Sequence, residues 1–431
     1  MCDLLLGQVI CFNDTAMTTA PLDNAAFAMV HHTQGGVVVD QGKIQAVGPA
    51  VDLRKAYPDA RIHDYGTKLI SAGFIDAHVH FAQTAIVASW GKRLIDWLNT
   101  YTFPEEMRFD NIDYARAVAR TYFDLALSNG TTTMCSFATI HPQSVDAFFT
   151  EARSRGMRAL AGKTCMDRNA PDGLRDTAQS AYDDSLALLN RWHGQDRLSY
   201  VITPRFSPTS TEGQLRALGS LWAEHPDCLM QTHLSEQTDE VEWVKSLFPQ
   251  ARDYLDTYEA FGLLGANGIY GHAIHLEPRE VDRLREHNSA IAHCPTSNTF
   301  IGSGIFPMTD LADTLRVGLA TDTGGGSSFS MLRTMAAAYE LGQLRGTPLT
   351  PPALWWLATQ GAARSLHLED RIGNIAPGME ADLIVIDLES TPAIKQRMTR
   401  AETFQEALFA TIMMGDDRAI DQVWINGKKH D

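Results

Sequence analysis

The chain has 431 residues, 44% hydrophobic and 20% charged, enough for one large domain and a smaller one. Its formal charge of −16 at pH 7 argues against a nucleic-acid partner, whose phosphates would be repelled, but leaves a small neutral substrate open. No apolar run approaches the roughly 18 residues of a membrane span, and no basic residue precedes Lys43, so neither a membrane segment nor a signal peptide is expected.

In chain order, residues 1–70 read as glycine-punctuated strands (CDLLLGQVICF, GGVVVDQGKIQAVG, RIHDYGTKLI). Residues 71–370 alternate strand and helix. Eight strand-like runs are GFIDAHVHF, TTTMCSFAT, RALAGKTCM, LSYVITPRF, CLMQTHLSE, GIYGHAIHL, SAIAHCPTS and RVGLATDTG. Among the intervening helices, YARAVARTYFDLALSNG ends at Gly130 and TAQSAYDDSLALLNRWHG at Gly194. This alternation predicts an α/β fold, a (β/α)8 TIM-like barrel. A doubly wound open sheet is the competing fold, but no Gly-rich phosphate loop follows the first strand. Residues 371–431 return to strands (EADLIVIDL, QVWINGKKH) after the turn-rich GNIAPGM. Residues 1–70 and 371–431 are therefore expected to form a small β-sandwich-like domain from both chain ends. The six cysteines (Cys2, Cys11, Cys135, Cys165, Cys228 and Cys294) contain no CxxC pair. That suits reduced thiols in a cytoplasmic protein and removes a Pro-Cys-x-x-Cys zinc site.

Barrel active sites gather at the carboxyl ends of the strands. Reading those ends gives His78 and His80 on strand 1, Arg205 on strand 4, His233 on strand 5, His272 on strand 6 and Asp322 on strand 8. The i, i+2 spacing puts His78 and His80 on one side of their strand. Taken singly, each residue reads as a satisfied core histidine or a capping aspartate. Together, three of these imidazoles and the one carboxylate make a nitrogen/oxygen site suited to zinc or ferrous iron.

The set GFIDAHVH, THLSE, GHAIH and ATDTG resembles the amidohydrolase superfamily. Members with two metals bridge them with a carbamylated lysine at the end of strand 4, where this chain has Thr203-Pro204-Arg205-Phe206. The resemblance therefore implies the branch with one catalytic metal, which usually deaminates heterocycles. Within that branch, HFAQ, WLNTYTFPEE, NGTTT, ATIHPQS, GKTCMDRN, TPRFSPTS, HCPTSN, DTGGGSSFSML and MGDDRAIDQVWINGK resemble the guanine deaminases, from about residue 35 to the carboxyl end.

That resemblance implies a cytoplasmic homodimer of purine salvage or catabolism, hydrolysing guanine to xanthine and ammonia with a metal-activated hydroxide. It implies one zinc per chain, with iron as the alternative, held by His78, His80, His233 and Asp322. Asp322 would also take the proton of the attacking water, and Glu236 would protonate ring nitrogen 3 and help ammonia leave. His272 would steady the hydroxide or the leaving amine, with ligation left open. Gln83 and Arg205 would hold the edge bearing oxygen 6, with Phe206 on the ring face. His80, His233, Glu236 and Asp322 complete the implied substrate contacts. Outside these motifs Arg205 reads as a rim ion pair, Phe206 as a core aromatic and Glu236 as a loop carboxylate.

The connection from Phe81 to Asn111 exceeds usual barrel loops and is expected to cover the pocket. Its Trp97, Leu98 and Phe103 are either pocket lining or a mini-core of the loop. Gly324-Gly325-Gly326 reads as a close backbone turn beside the metal, since no lysine follows as in a phosphate loop. The rival readings are deamination of a related ring (8-oxoguanine, isocytosine or a pterin) and a catalytically inactive barrel scaffold. The ligand set combined with Glu236 speaks against the scaffold.

Overall fold

A computed structural model describes residues 2–13, 21–91 and 93–430. Its strands, in chain order, begin with β1 (Asp3–Phe12), β2 (Met29–Asp40), β3 (Lys43–Pro49) and β4 (Arg61–Ala72). The central series is β5 (Phe74–His80), β6 (Thr131–Phe137), β7 (Arg158–Gly162), β8 (Thr164–Cys165), β9 (Leu198–Pro204), β10 (Leu229–Leu234), β11 (Gly268–His272), β12 (Ala290–His293) and β13 (Arg316–Leu319). Strands β14 (Leu383–Ile386), β15 (Ile420–Ile425) and β16 (Lys428–His430) follow.

Both chain ends meet in one seven-stranded sheet, ordered β16-β15-β14-β4-β1-β2-β3. Alternation along β1 explains why this sheet buries two faces. Leu4 and Leu6 pack with Val38 and Leu53, whereas Leu5 and Val9 pack with Val37, Ile70, Leu383 and Trp424. The sheet belongs to a compact unit comprising the residues up to Asp76, Leu125–Thr133, and Ser330 onward.

The second sheet runs β5-β6-β7-β9-β10-β11-β12-β13, with β8 beside β9. The pairings from β9 through β13 are parallel. Two backbone hydrogen bonds join its ends: Asp322 N donates to His78 O at 3.0 Å and His80 N to Thr323 O at 3.2 Å. This is the predicted eight-stranded barrel. Every residue of β6, β10 and β11 is buried, as parallel strands with both faces covered require. The two helices expected to end at Gly130 and Gly194 span Ile112–Ser128 and Ala178–Trp192. A second compact unit comprises Ala77–Asp124 and Met134–Phe329.

After β5 the long connection winds into short helical turns, Phe81–Ile86, Leu94–Trp97, Leu98–Thr102, Phe103–Glu106 and Met107–Asp110. Among the described residues no helix is long and apolar enough to cross a membrane.

The barrel unit also encloses an ion pair. Lys163 Nζ, with a fully buried side chain, donates to Asp176 Oδ2 at 2.6 Å. Removing one partner of such a pair strands the other in low dielectric. Lys163→Met is therefore expected to cost about 3 kcal/mol, read as a lower urea midpoint at unchanged slope. A loss below about 1 kcal/mol would mean that the neighbouring groups replace the pair.

Candidate active site

Three strand ends turn through the left-handed region at non-glycine residues: Ser235 (φ 48), His272 (φ 66) and Asp322 (φ 48). Each such turn costs about 1–3 kcal/mol and is kept only where the surroundings enforce it. The side chains gathered here are almost wholly buried, His78 and His272 at 1% exposure, His80 and Asp322 at 4%. Gly271 makes room for one of them, because a Cβ there would stand 2.8 Å from His78 Cε1. Phe137 lies against the imidazoles of His78, His80 and His233, with centroids 4.7–4.8 Å apart.

The donor atoms converge. His80 Nε2 lies 3.2 Å from His233 Nε2, and Asp322 Oδ1 lies 3.5 Å from the Nε2 atoms of both His78 and His80. His78, His80 and His233 bring their ligand atoms within 4.8 Å of one another, and the Asp322 carboxylate adjoins two of them, a nitrogen-rich donor set that fits a single divalent ion. Their protonation fits as well. Burial pushes His78 below the ordinary histidine value and, together with the His78 charge, holds His80 and His233 far below it. Neutral imidazole is the form that ligates. The Arg205 carbonyl can only accept, so His233 Nδ1 donates to it at 2.7 Å, leaving Nε2 free to face the other donors. Burial raises the Asp322 carboxyl, but the His78 hydrogen bond and the His272 and His78 charges outweigh it and bring it to about 2. Cys294 enters as a further donor that the sequence did not single out: it groups with His78, His272 and Asp322, their ligand atoms all within 4.8 Å.

His272 is held differently. Its Nδ1 donates to Asn298 Oδ1 at 2.9 Å, which turns Nε2 toward Glu236 Oε2 at 3.6 Å and Asp322 Oδ2 at 3.8 Å. Burial lowers its pKa, yet the two carboxylates raise it more, so it is the one imidazole of the group held above the ordinary value. Burial lifts Glu236 to about 7, opposed by His272 and reinforced by Glu240 and Asp322. Ser303 Oγ donates to Glu236 Oε1 at 3.0 Å. Glu240 Oε2 accepts the backbone N–H groups of Glu236 and Gln237 at 2.9 and 3.0 Å, fixing the loop that carries the acid.

These groups border one cavity. His80, His233, Glu236, His272 and Asp322 contribute its polar side. Gln83, Arg205, Phe206, Trp97 and Leu98 also line it, whereas His78 lies behind. Trp97 and Leu98 belong at the same time to an apolar cluster with Phe103 and Phe206. Phe103 itself supports the wall, with the Arg205 guanidinium 5.6 Å from its ring centre. Gly324-Gly325-Gly326 is a tight turn in which a Cβ at Gly325 would stand 2.9 Å from Asp322 Oδ2.

Sequence reasoning passed over Glu106, Phe137, Asn298 and Ser303. Glu106 ends WLNTYTFPEE, Phe137 sits in the second strand run, and Asn298 ends HCPTSN, so the signal for these three was a motif with no role attached. No pattern marks Ser303.

Residues 69–429 match the sequence profile of the Amidohydrolase family, and residues 35–60 that of an Imidazolonepropionase-like composite domain of bacteria. Guanine deaminase of Escherichia coli (strain K12) is 43% identical over 419 residues, 97% of this chain and 95% of that protein. The solved structure of E. coli guanine deaminase superposes with a TM-score of 0.97 at 42% identity, covering 100% of this chain and 99% of that one. Guanine deaminase from C. acetobutylicum, with guanine bound in its active site, gives a TM-score of 0.90 at 28% identity, with both chains covered in full.

The convergent donors generate a direct expectation. Elemental analysis should find about one divalent ion per chain, and His80→Ala or His233→Ala should lose it. Two tightly held ions in the unaltered protein would contradict the single-centre geometry.

Proposed function

The chain belongs to the amidohydrolase family, and from that premise we infer that it hydrolyses guanine to xanthine and ammonia. One observation carries the inference. A buried acid held near neutrality, Glu236, borders the same cavity as the low-pKa carboxylate Asp322 and the amide-reading pair Gln83 and Arg205. Two carboxyl groups whose environments push their pKa values apart are suited to opposite proton-transfer roles.

In this reading His78, His80, His233 and Asp322 hold the metal, with zinc favoured by the nitrogen-rich donor set and iron as the alternative. The bound ion supplies the electrostatic pull that makes water a nucleophile at neutral pH. Asp322, ionised at rest, takes the proton that water gives up as its oxygen bonds to ring carbon 2. Glu236 delivers a proton to ring nitrogen 3, so the ring never carries a full negative charge. The proton held on Asp322 then passes to the amino group, the carbon–nitrogen bond breaks, the new hydroxyl on carbon 2 returns its proton to Glu236 as it becomes a carbonyl, and ammonia departs. His272 directs Nε2 toward Glu236 and Asp322, steadying both carboxyl groups between steps. Arg205 and Gln83 orient the edge bearing oxygen 6, and Phe206 packs against the ring face. Trp97 and Leu98 exclude water from that side of the cavity.

The related-ring and scaffold readings are less well supported, because the curated relatives and the guanine-bound structure carry guanine deaminase names. On family resemblance we extend the proposal to a cytoplasmic homodimer serving purine salvage or catabolism.

A substrate panel tests the reading. Guanine should release ammonia and yield xanthine; release from other rings but none from guanine would overturn it. Glu236→Gln should keep its metal and lose at least ~100-fold in kcat, the scale of a removed general acid. Turnover near normal would take Glu236 out of the chemistry.

A further inference from the structure

The wall of the cavity contains a polar chain that the proposed chemistry leaves unexplained. Glu106 is fully buried, yet it lies on the long connection after β5 and not at a strand end like the other charged groups. Its Oε2 accepts from Arg205 Nη1 at 2.7 Å and its Oε1 from Gln83 Nε2 at 2.9 Å. Arg205 and Gln83 are themselves 3% and 1% exposed.

We propose that Glu106 is a positioning residue that sets the hydrogen-bonding polarity of the pocket, holding Gln83 with its carbonyl oxygen, not its amide, available to the bound ring. The proposal rests on the purine reading above. A glutamine amide can turn either way, and its two orientations offer a ligand opposite groups. A carboxylate only accepts, so Glu106 fixes the choice: the Gln83 NH2 faces Glu106 and Oε1 is left as an acceptor. That oxygen is buried and has no hydrogen-bond partner among the described residues. Turning the amide over would set its carbonyl against the carboxylate. Gly324, at φ 120, guards the same atom from another side, because a Cβ there would collide with Gln83 Oε1.

The wall therefore pairs a cationic donor, Arg205, with a neutral acceptor, Gln83 Oε1. The complement is a ring amide, a carbonyl beside an N–H. An amino-substituted ring presents the reverse, an N–H group toward the cation and a bare nitrogen toward the acceptor. Glu106 also offsets the Arg205 charge, so the pocket suits a neutral ring instead of an anion.

Calorimetric binding of hypoxanthine and adenine to the metal-loaded protein tests this without relying on turnover. Hypoxanthine, which carries the ring amide and lacks the amine at carbon 2, should bind at least ~10-fold tighter than adenine, since a mismatch leaves a buried acceptor unpaired. Glu106→Gln can donate as well as accept and so releases the Gln83 amide. It should narrow the preference at least ~5-fold while metal content stays unchanged. Gly324→Ala displaces Gln83 and leaves the Glu106–Arg205 pair in place; it should narrow the preference too, and it serves if Glu106→Gln does not fold. Equal binding of the two rings by the unaltered protein would overturn the proposal. So would equal weakening of both rings in either variant, the result of a merely structural role. A strong hypoxanthine preference without guanine turnover would instead sink the proposed function and leave the polarity of the wall standing.

Discussion

Two backbone hydrogen bonds tie the first barrel strand to the segment leaving the last, and both involve the residues on which the candidate site depends. Asp322 N donates to His78 O, and His80 N donates to Thr323 O. Closure of the sheet and convergence of the donor set are thus one event. Side chains from opposite ends of the chain order cannot meet until the barrel is complete, and once it is complete they have no other place to go. The left-handed turn at Asp322 is the strain stored in that joint.

Desolvation then sorts the gathered groups. A single low-dielectric cavity holds carboxyls driven in opposite directions, Asp322 down to about 2 and Glu236 up to about 7. The difference comes from neighbours, since both are buried. Asp322 sits against the imidazoles, whereas Glu236 is backed by the carboxyl group of Glu240. The imidazoles divide in the same way. His80 and His233 crowd one another and stay neutral, while His272 faces two carboxyl groups that hold its proton more tightly than usual. Position in the barrel thus separates ligand-like from acid-like chemistry among residues of identical type.

Much of this was legible in the chain because each polar residue came at the end of a mostly apolar run. His233 lies next to the end of β10, and Asp322 follows the apolar Val317–Ala320 stretch, so the strand ends and the residues at them could be read together. The sheet formed from both termini was visible for the same reason, a return of short alternating runs. What was hidden depends on long-range contact. Glu106 meets Arg205 across 99 positions and Ser303 meets Glu236 across 67, and no local period encodes either meeting. Phe137 looked like any strand aromatic until three imidazoles were found against it. For the connection after β5, the length pointed to a cover, but its succession of short helical turns follows from packing against the cavity wall.

The Gly324-Gly325-Gly326 turn has a consequence for how such an enzyme can diversify. An added methyl group at these positions would run into Gln83, Asp322 and the backbone of Thr321 in turn. The turn is therefore closed to drift, and with it the half of the cavity that carries Gln83 and Asp322. Mutational freedom is left to Trp97 and Leu98, which line the cavity as members of an apolar cluster and can be exchanged for side chains of other volumes. A lineage acquiring a new ring substrate would be expected to rewrite residues 81–111 first and to keep its glycines.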